Sequence, residues 1–164
     1  MLNVTDITIR PAKEPDIPAI KDLLSQIVQV HHALRPDIFR QFHDSKQSTF
    51  CEDADSPVFV AVDLQDNIVG CIWLVVRHER DNSLKIDRDW LVIDDICVDE
   101  KYRRCGIGQK MVGFAVSFAR QMSLPRVELN VYNDNLNAVK FYERYGFKTQ
   151  KRVMEFDVPA LREQ

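Results

Sequence analysis

The 164-residue sequence predicts one α/β domain built on a mixed sheet. Three observations carry this. Stretches of strand length, either apolar throughout or alternating, recur at residues 7–10, 58–62, 68–76, 91–98, 127–131 and 154–158. Between several of them, apolar residues return at intervals of three and four, as in helices that bury one face. No repeat, low-complexity tract or linker divides the chain, so residues 1–164 read as a single domain long enough to bury a core without staples.

Each element has its own justification. Residues 7–10 alternate and make a short first strand. Pro15-Asp16 opens a helix whose stripe is Ile17, Ile20, Leu24, Ile27 and Val28. Pro36 stops it, because proline disfavours helix at the residue before it. Residues 37–57 are polar with scattered aromatics and read as a lid or substrate segment, with room for a further helix. The run 58–62 is a buried strand, 64–67 a turn, and 68–76 the second arm of a hairpin. Residues 77–89 mix both charges and read as a solvated connection. The strand 91–98 follows, interrupted by Asp94 and Asp95; adjacent on a strand, these face opposite sides of the sheet. Residues 106–122 are helical, with Ile107, Met111, Phe114, Ala115, Phe118 and Met122 on one face. Val127, Leu129 and Val131 alternate in a strand. Asn133-Asp134 caps a helix with inner face Ala138, Phe141, Tyr142 and Tyr145, ended by Gly146, and residues 154–158 close the sheet.

Composition narrows the function. Apolar residues are 45% and charged residues 29%, ordinary for a soluble globular protein, and the net charge is −3. A generally basic nucleic-acid coat and a simple membrane-surface binder are thereby disfavoured. Cys51, Cys71, Cys97 and Cys105 have no C-x-x-C spacing, and His31, His32, His43 and His78 form no H-E-x-x-H motif, so no metal site is expected. The first residues lack a signal design and the longest apolar run, 71–76, is too short to span a bilayer, which points to a reduced, cytoplasmic protein whose thiols fill core space.

The strongest signal lies between the strand ending at Val98 and the helix near Gly106. A strand, a glycine-containing turn and a helix N-terminus form an anion-binding device, because exposed backbone N–H groups and the helix dipole both favour negative charge. Lys101, Arg103, Arg104 and Lys110 add positive charge, and Gly106 and Gly108 permit close backbone approach. The ligand this suits is a phosphate or pyrophosphate. Walker A is absent, and the dinucleotide fingerprint fails because its third glycine position is Met111.

Arg103-Arg104-Cys105-Gly106-Ile107-Gly108, preceded by Ile96-Cys97-Val98-Asp99 and followed by an amphipathic helix, resembles the acetyl-coenzyme A loop of the general N-acetyltransferase (GNAT) superfamily. Asn135-Leu-Asn-Ala138-Val-Lys-Phe141-Tyr142, continuing to Gly146-Phe147, is similar to that family's late helix. The resemblance runs from about residue 7 to 158, with nothing specific in 37–57. It implies a GNAT-like fold: a mixed, mostly antiparallel central sheet of six to seven strands flanked by about four helices. It also implies acetyl-coenzyme A as cofactor. The backbone of Ile96, Cys97 and Val98 would pair with the pantetheine arm, the amides of Arg103, Arg104, Cys105, Gly106, Ile107 and Gly108 would hold the pyrophosphate, and Asn135 and Tyr142 would reach the cofactor from the late helix.

The activity so implied is N-acetyltransfer from acetyl-coenzyme A to a primary amine, whether a small molecule, a polyamine or a protein amine, by direct attack in a ternary complex. Its rival is a non-catalytic acyl-coenzyme A-binding module. Tyr142 stands where the family places the proton donor to the departing thiolate; its spacing equally suits core packing. Asp94 matches the position of a glutamate base in some members, and its alternative is a structural pairing; Asp95 is the second carboxylate for the role. The histidines near the substrate segment could serve as base at neutral pH or simply be solvated. Cys97 and Cys105 lie near the cofactor path, as acyl carriers or as small thiols. The partner is an amine acceptor, without nucleic acid or membrane, and pairing as a homodimer is compatible with the family.

Overall fold

The computed structural model describes residues 3–41 and 55–158. The chain forms two compact units, Met1–Val131 and Tyr132–Gln164.

The first unit is a five-stranded sheet with helices on both faces. After a 3-10 turn at Val4–Asp6 come β1 (Thr8–Pro11), a second 3-10 turn at Glu14–Asp16, and α1 (Ile17–Leu34). Then follow β2 (Val58–Val62), β3 (Ile68–Glu79), β4 (Arg88–Val98), a 3-10 turn at Glu100–Tyr102, α2 (Ile107–Gln121) and β5 (Val127–Leu129). The sheet order is β1-β2-β3-β4-β5, antiparallel except that β5 runs parallel to β4. The α2 crossover makes that last parallel pairing possible, since parallel neighbours need a long connection.

Strand alternation assigns the faces. Val58, Val60 and Val62 of β2 pack with Ile20 and Leu23 of α1 and with Cys71 and Cys97, so α1 covers that side. Phe59 points the other way, its ring meeting Phe114 and Phe118 of α2 at 4.6 and 5.6 Å. β2 is buried at every residue because both faces are covered, which explains its uninterrupted apolar run. Gly70 of β3 lies opposite Val98. A Cβ there would sit 2.7 Å from the carbonyl oxygen of Cys97 and 3.1 Å from Sδ of Met111, so only glycine lets the strands approach this closely.

The entry to α1 is fixed by charge. Arg10 donates to both oxygens of Asp16 at 2.7 and 3.2 Å and to Asp66 in the β2–β3 turn at 3.1 Å, while Asp16 also accepts from the Lys13 amide at 2.8 Å. The Arg10 hydrogen bonds hold the Asp16 carboxyl below the usual carboxylate range. A depressed pKa contributes stability that is present above the unfolded value, near 3.9, and is lost as pH falls through the lower folded value. Arg10→Ala should therefore destabilise the protein by about 2 kcal/mol at pH 7 and shrink its loss of stability on acidification below pH ~4. Urea unfolding at pH 7 and in the acid range measures both; equal midpoints at pH 7 would refute the role.

The second unit contains α3 (Leu136–Tyr145). Asn135, not Asn133 or Asp134, caps it, its Oδ1 accepting the Ala138 amide at 3.2 Å. Gly146 ends it at φ 116°, a left-handed position suited to glycine.

The sheet differs from expectation in its count: five strands and three α-helices among the described residues, against six to seven and about four. Residues 154–158 are not a strand. Alternation makes a strand only where a neighbour accepts the ladder; no ladder is assigned to 151–158 among the described residues, and Val153, Met154, Phe156 and Val158 are 83–91% exposed. The further helix expected in 37–57 falls largely outside the described residues. The connection 77–89 is shorter than expected, because Arg77–Glu79 and Arg88–Trp90 zip up as ladder pairs. No helix among the described residues is long and apolar enough to cross a membrane.

Candidate functional site

The site begins where β4 loses a neighbour. β5 pairs with β4 only over Leu91–Ile93, so from Asp94 to Val98 β4 has a strand partner on the β3 side alone, among the described residues. The other edge presents backbone donors and acceptors in strand spacing, which is what an extended chain of amides needs in order to pair. Ile96, Cys97 and Val98, expected at the cofactor arm, lie on this stretch.

A bulge sits where the pairing splits. Trp73 of β3 stands opposite Asp95 and the next residue, Leu74, opposite Ile93, leaving Asp94 as the extra residue. The two aspartates therefore do not alternate cleanly to opposite faces, as regular strand geometry would have it; together they oppose Trp73. Asp94 is exposed and Asp95 half-buried. Burial first, and then the neighbouring Asp94 charge, push the Asp95 carboxyl above the usual range, while His31 pulls it down. A carboxylate so placed is closer to a working base at neutral pH than a solvated one.

Beyond Val98 the loop is braced from several sides. Asp99 accepts the Lys101 amide at 2.9 Å. Arg103 donates through Nε to the Val98 carbonyl at 3.1 Å and through Nη2 to Oε1 of Gln26 at 3.2 Å, and that same oxygen accepts the Glu100 amide at 3.0 Å. Gln26 of α1 thus fixes the loop, a role that nothing in the sequence signalled. Arg104 and Gly106 both have positive φ, 63° and 82°, so the chain turns tightly just ahead of α2. The first bond of α2 runs from Lys110 N–H to Gly106 O at 3.0 Å, so the amides of Ile107, Gly108 and Gln109 precede the helical ladder. Lys110 is not aimed at a ligand: its Nζ donates to the Val4 carbonyl at 2.9 Å and to that of Ile7. Lys101 and Arg104 are exposed on the same loop, ahead of the α2 amides. An open strand edge running into a nest of amides fits an extended amide arm that ends in a pyrophosphate.

Cys71 and Cys97 fill space, and Cys51 lies outside the described residues. Cys97 is buried, its Sγ donates to the Leu23 carbonyl at 3.2 Å, and burial pushes its thiol up to about 11. Cys71 lies opposite it, and burial raises its thiol too. Both are protonated at neutral pH, which disfavours acyl transfer through Cys97. Cys105 is half-buried and its Sγ reaches the Arg103 carbonyl at 3.6 Å.

On the α1 face, Trp73 Nε1 donates to Ser56 Oγ at 2.6 Å, and the His31 ring lies 4.8 Å from Phe39. Neither Trp73 nor Phe39 stood out in the sequence beyond being aromatic. His43 lies outside the described residues. In the second unit Tyr142 is half-buried among rings, edge-on to Phe141 at 5.1 Å and Phe147 at 5.7 Å. Asn135, expected to contact the cofactor, uses its side-chain oxygen to cap α3.

Comparison with known proteins agrees with this geometry. Spermine/spermidine N(1)-acetyltransferase of Bacillus subtilis (strain 168) is 28% identical over 85 residues, 51% of this chain and 55% of that protein. Peptidyl-lysine N-acetyltransferase YjaB of Escherichia coli (strain K12) is 32% identical over 98 residues, 60% of this chain and 54% of the relative. The chain thus spans about half the length of these curated relatives. The crystal structure of a mutant of the BH1408 protein from Bacillus halodurans superposes with a TM-score of 0.84 at 28% identity, over 93% of this chain and 99% of that one. Residues 27–147 match the model of the acetyltransferase (GNAT) family. That span holds the split strand, the bulge, the braced loop and α3, and the chain belongs to the GNAT acetyltransferase family.

Proposed function

We propose that the protein, acting as one acetyltransferase domain, transfers an acetyl group from acetyl-coenzyme A to a primary amine by direct attack in a ternary complex. The observation that carries the reading is the one-sided edge of β4 over Asp94–Val98, leading into the amide nest of Arg103–Gly108. Bound acetyl-coenzyme A supplies an acyl group activated as a thioester. Ile96, Cys97 and Val98 offer main-chain donors and acceptors to an extended arm, and an N–H of this stretch can polarise a carbonyl held against it. The amides at the start of α2 bind the pyrophosphate, with exposed Arg104 and Lys101 beside them.

The acceptor arrives as an ammonium ion and must lose a proton to become a nucleophile. Of the paired carboxylates, Asp95 is the stronger choice as base, because burial and the charge of Asp94 raise its proton affinity. Asp94, exposed beside it, adds a second negative charge that favours a cationic acceptor. Tyr142, assigned by its match to the family's late helix, gives up the proton at its Oη to a departing sulfur. Free thiols at Cys71, Cys97 and Cys105 suit a reducing, cytoplasmic setting.

The test is thiol release from acetyl-coenzyme A in the presence of spermidine, a lysine peptide and free amino acids. Release with at least one acceptor, and mass gain of 42 Da on that acceptor, is the expected result. Cofactor binding with no release from any amine would leave a non-catalytic acyl-coenzyme A-binding module instead. Tyr142→Phe should lower kcat on the order of 10²-fold with acetyl-coenzyme A affinity nearly unchanged. Undiminished kcat would assign Tyr142 to packing, its ring contacts with Phe141 and Phe147 included.

A further inference from the structure

We infer that Lys110 is a positioning residue for the turn that takes the pyrophosphate. Its ammonium group ties the first turn of α2 to the N-terminal turn Val4–Asp6, and that tie holds Gly106 and the amides of Ile107, Gly108 and Gln109 in place before the ligand arrives. The pyrophosphate in this statement rests on the acetyl-coenzyme A reading above; the tie does not.

Lys110 joins the two elements through both its main chain and its side chain. Its amide donates to the Gly106 carbonyl at 3.0 Å, the first helical bond of α2. Its Nζ donates to the Val4 carbonyl at 2.9 Å and to the Ile7 carbonyl, 106 and 103 positions earlier in the chain. A cation in the first turn of a helix opposes the macrodipole. The carbonyl oxygens that receive this one offset that cost through hydrogen bonds strengthened by its charge.

The acceptors are themselves fixed. Ile7 is buried and leads into β1, whose first residue, Thr8, pairs with Val62 of β2. Val4 lies in a turn closed by the Asp6 amide on the Asn3 carbonyl at 2.9 Å and capped by Asn3 Oδ1 at the Thr5 amide, 3.2 Å away. The same turn meets the loop a second time. A Cβ on Gly106 would lie 3.5 Å from Cγ2 of Val4 and 3.7 Å from its Cβ, so the valine packs over the glycine at its left-handed φ.

The loop is thus braced at both ends. Gln26 of α1 holds it at Glu100 and Arg103, after β4. Lys110 and Val4 hold it at Gly106, before α2. A site ordered in advance loses less conformational freedom on binding, so releasing the second brace costs affinity at the phosphate end of the ligand.

The experiment follows 1H–15N NMR shifts of the full chain during titration with coenzyme A and, separately, with pantetheine, which lacks the pyrophosphate. Lys110→Met keeps the alkyl stem and removes the donors. It should weaken coenzyme A on the order of 10-fold and leave pantetheine unchanged. Where an amine supports thiol release, KM for acetyl-coenzyme A should rise by the same factor with kcat within about 2-fold of native. In the free protein, 15N relaxation should show residues 106–109 more mobile in the variant. Val4→Ala, which trims only the contact over Gly106, should show the same pattern at about 3-fold and serves if Lys110→Met does not fold. Native-like rigidity of residues 106–109 would overturn the inference, as would an equal loss of pantetheine affinity. So would a loss that disappears at about 0.5 M salt, which would make Lys110 a direct charge partner of the ligand. If the native chain binds no coenzyme A, the cofactor reading fails, while the relaxation measurement still decides whether Lys110 holds the turn.

Discussion

Gly108→Trp is expected to lower the affinity for acetyl-coenzyme A at least about 100-fold, roughly 2.7 kcal/mol. Gly108 is the second residue of α2 and half-buried, and its amide is one of those that precede the first helical bond. An indole there would cover the helix end proposed to hold the pyrophosphate. The substitution replaces a weak helix former by a better one, so the fold should hold. Isothermal titration gives the affinity, and thermal unfolding without ligand shows that the loss is local. Unchanged affinity would remove the Arg103–Gly108 turn from the cofactor site.

Gly70→Val should destabilise the protein by about 3 kcal/mol, a Tm lower by roughly 10 °C for a chain of this size. The conflict is with main chain: a Cβ would fall 2.7 Å from the Cys97 carbonyl oxygen, and that oxygen cannot move without β4 moving. Met111, fully buried, closes the other side at 3.1 Å. Because β4 here is also the strand proposed to hold the cofactor arm, the surviving folded protein should bind acetyl-coenzyme A more weakly as well. A Tm equal to the native one would show that β3 and β4 can separate freely at this point.

The elements that sequence patterning made legible are those whose burial leaves a period. β2 announces itself because both faces are covered, and α1 and α2 because each covers one face of the sheet. The glycine turn was readable because helix N-termini and positive φ demand particular residues. Pattern fails where a decision depends on the partner. Residues 154–158 alternate as strands do, yet alternation carries no information about whether a neighbouring edge exists. Arg77–Glu79 and Arg88–Trp90 look like loop because charged residues on an exposed ladder resemble a solvated turn. The bulge is equally hidden: an inserted residue shifts register without changing composition, and it regroups Asp94 and Asp95 against one partner. The charge of Lys110 was countable in the sequence, but not its direction, which the Val4 and Ile7 carbonyls set.

That direction has a consequence for salt. Arg103 and Lys110 are tied to carbonyls and to Gln26 within the fold, so much of the local positive charge does not swing out to meet a ligand. Main-chain dipoles at the start of α2 then take a larger share of the attraction. Mobile ions screen exposed, separated charges within about 10 Å at 0.1 M ionic strength, but they act weakly on hydrogen bonds made at contact. A phosphate-bearing ligand held in this way loses affinity only slowly as ionic strength rises, where a site made of flexible lysines would release it.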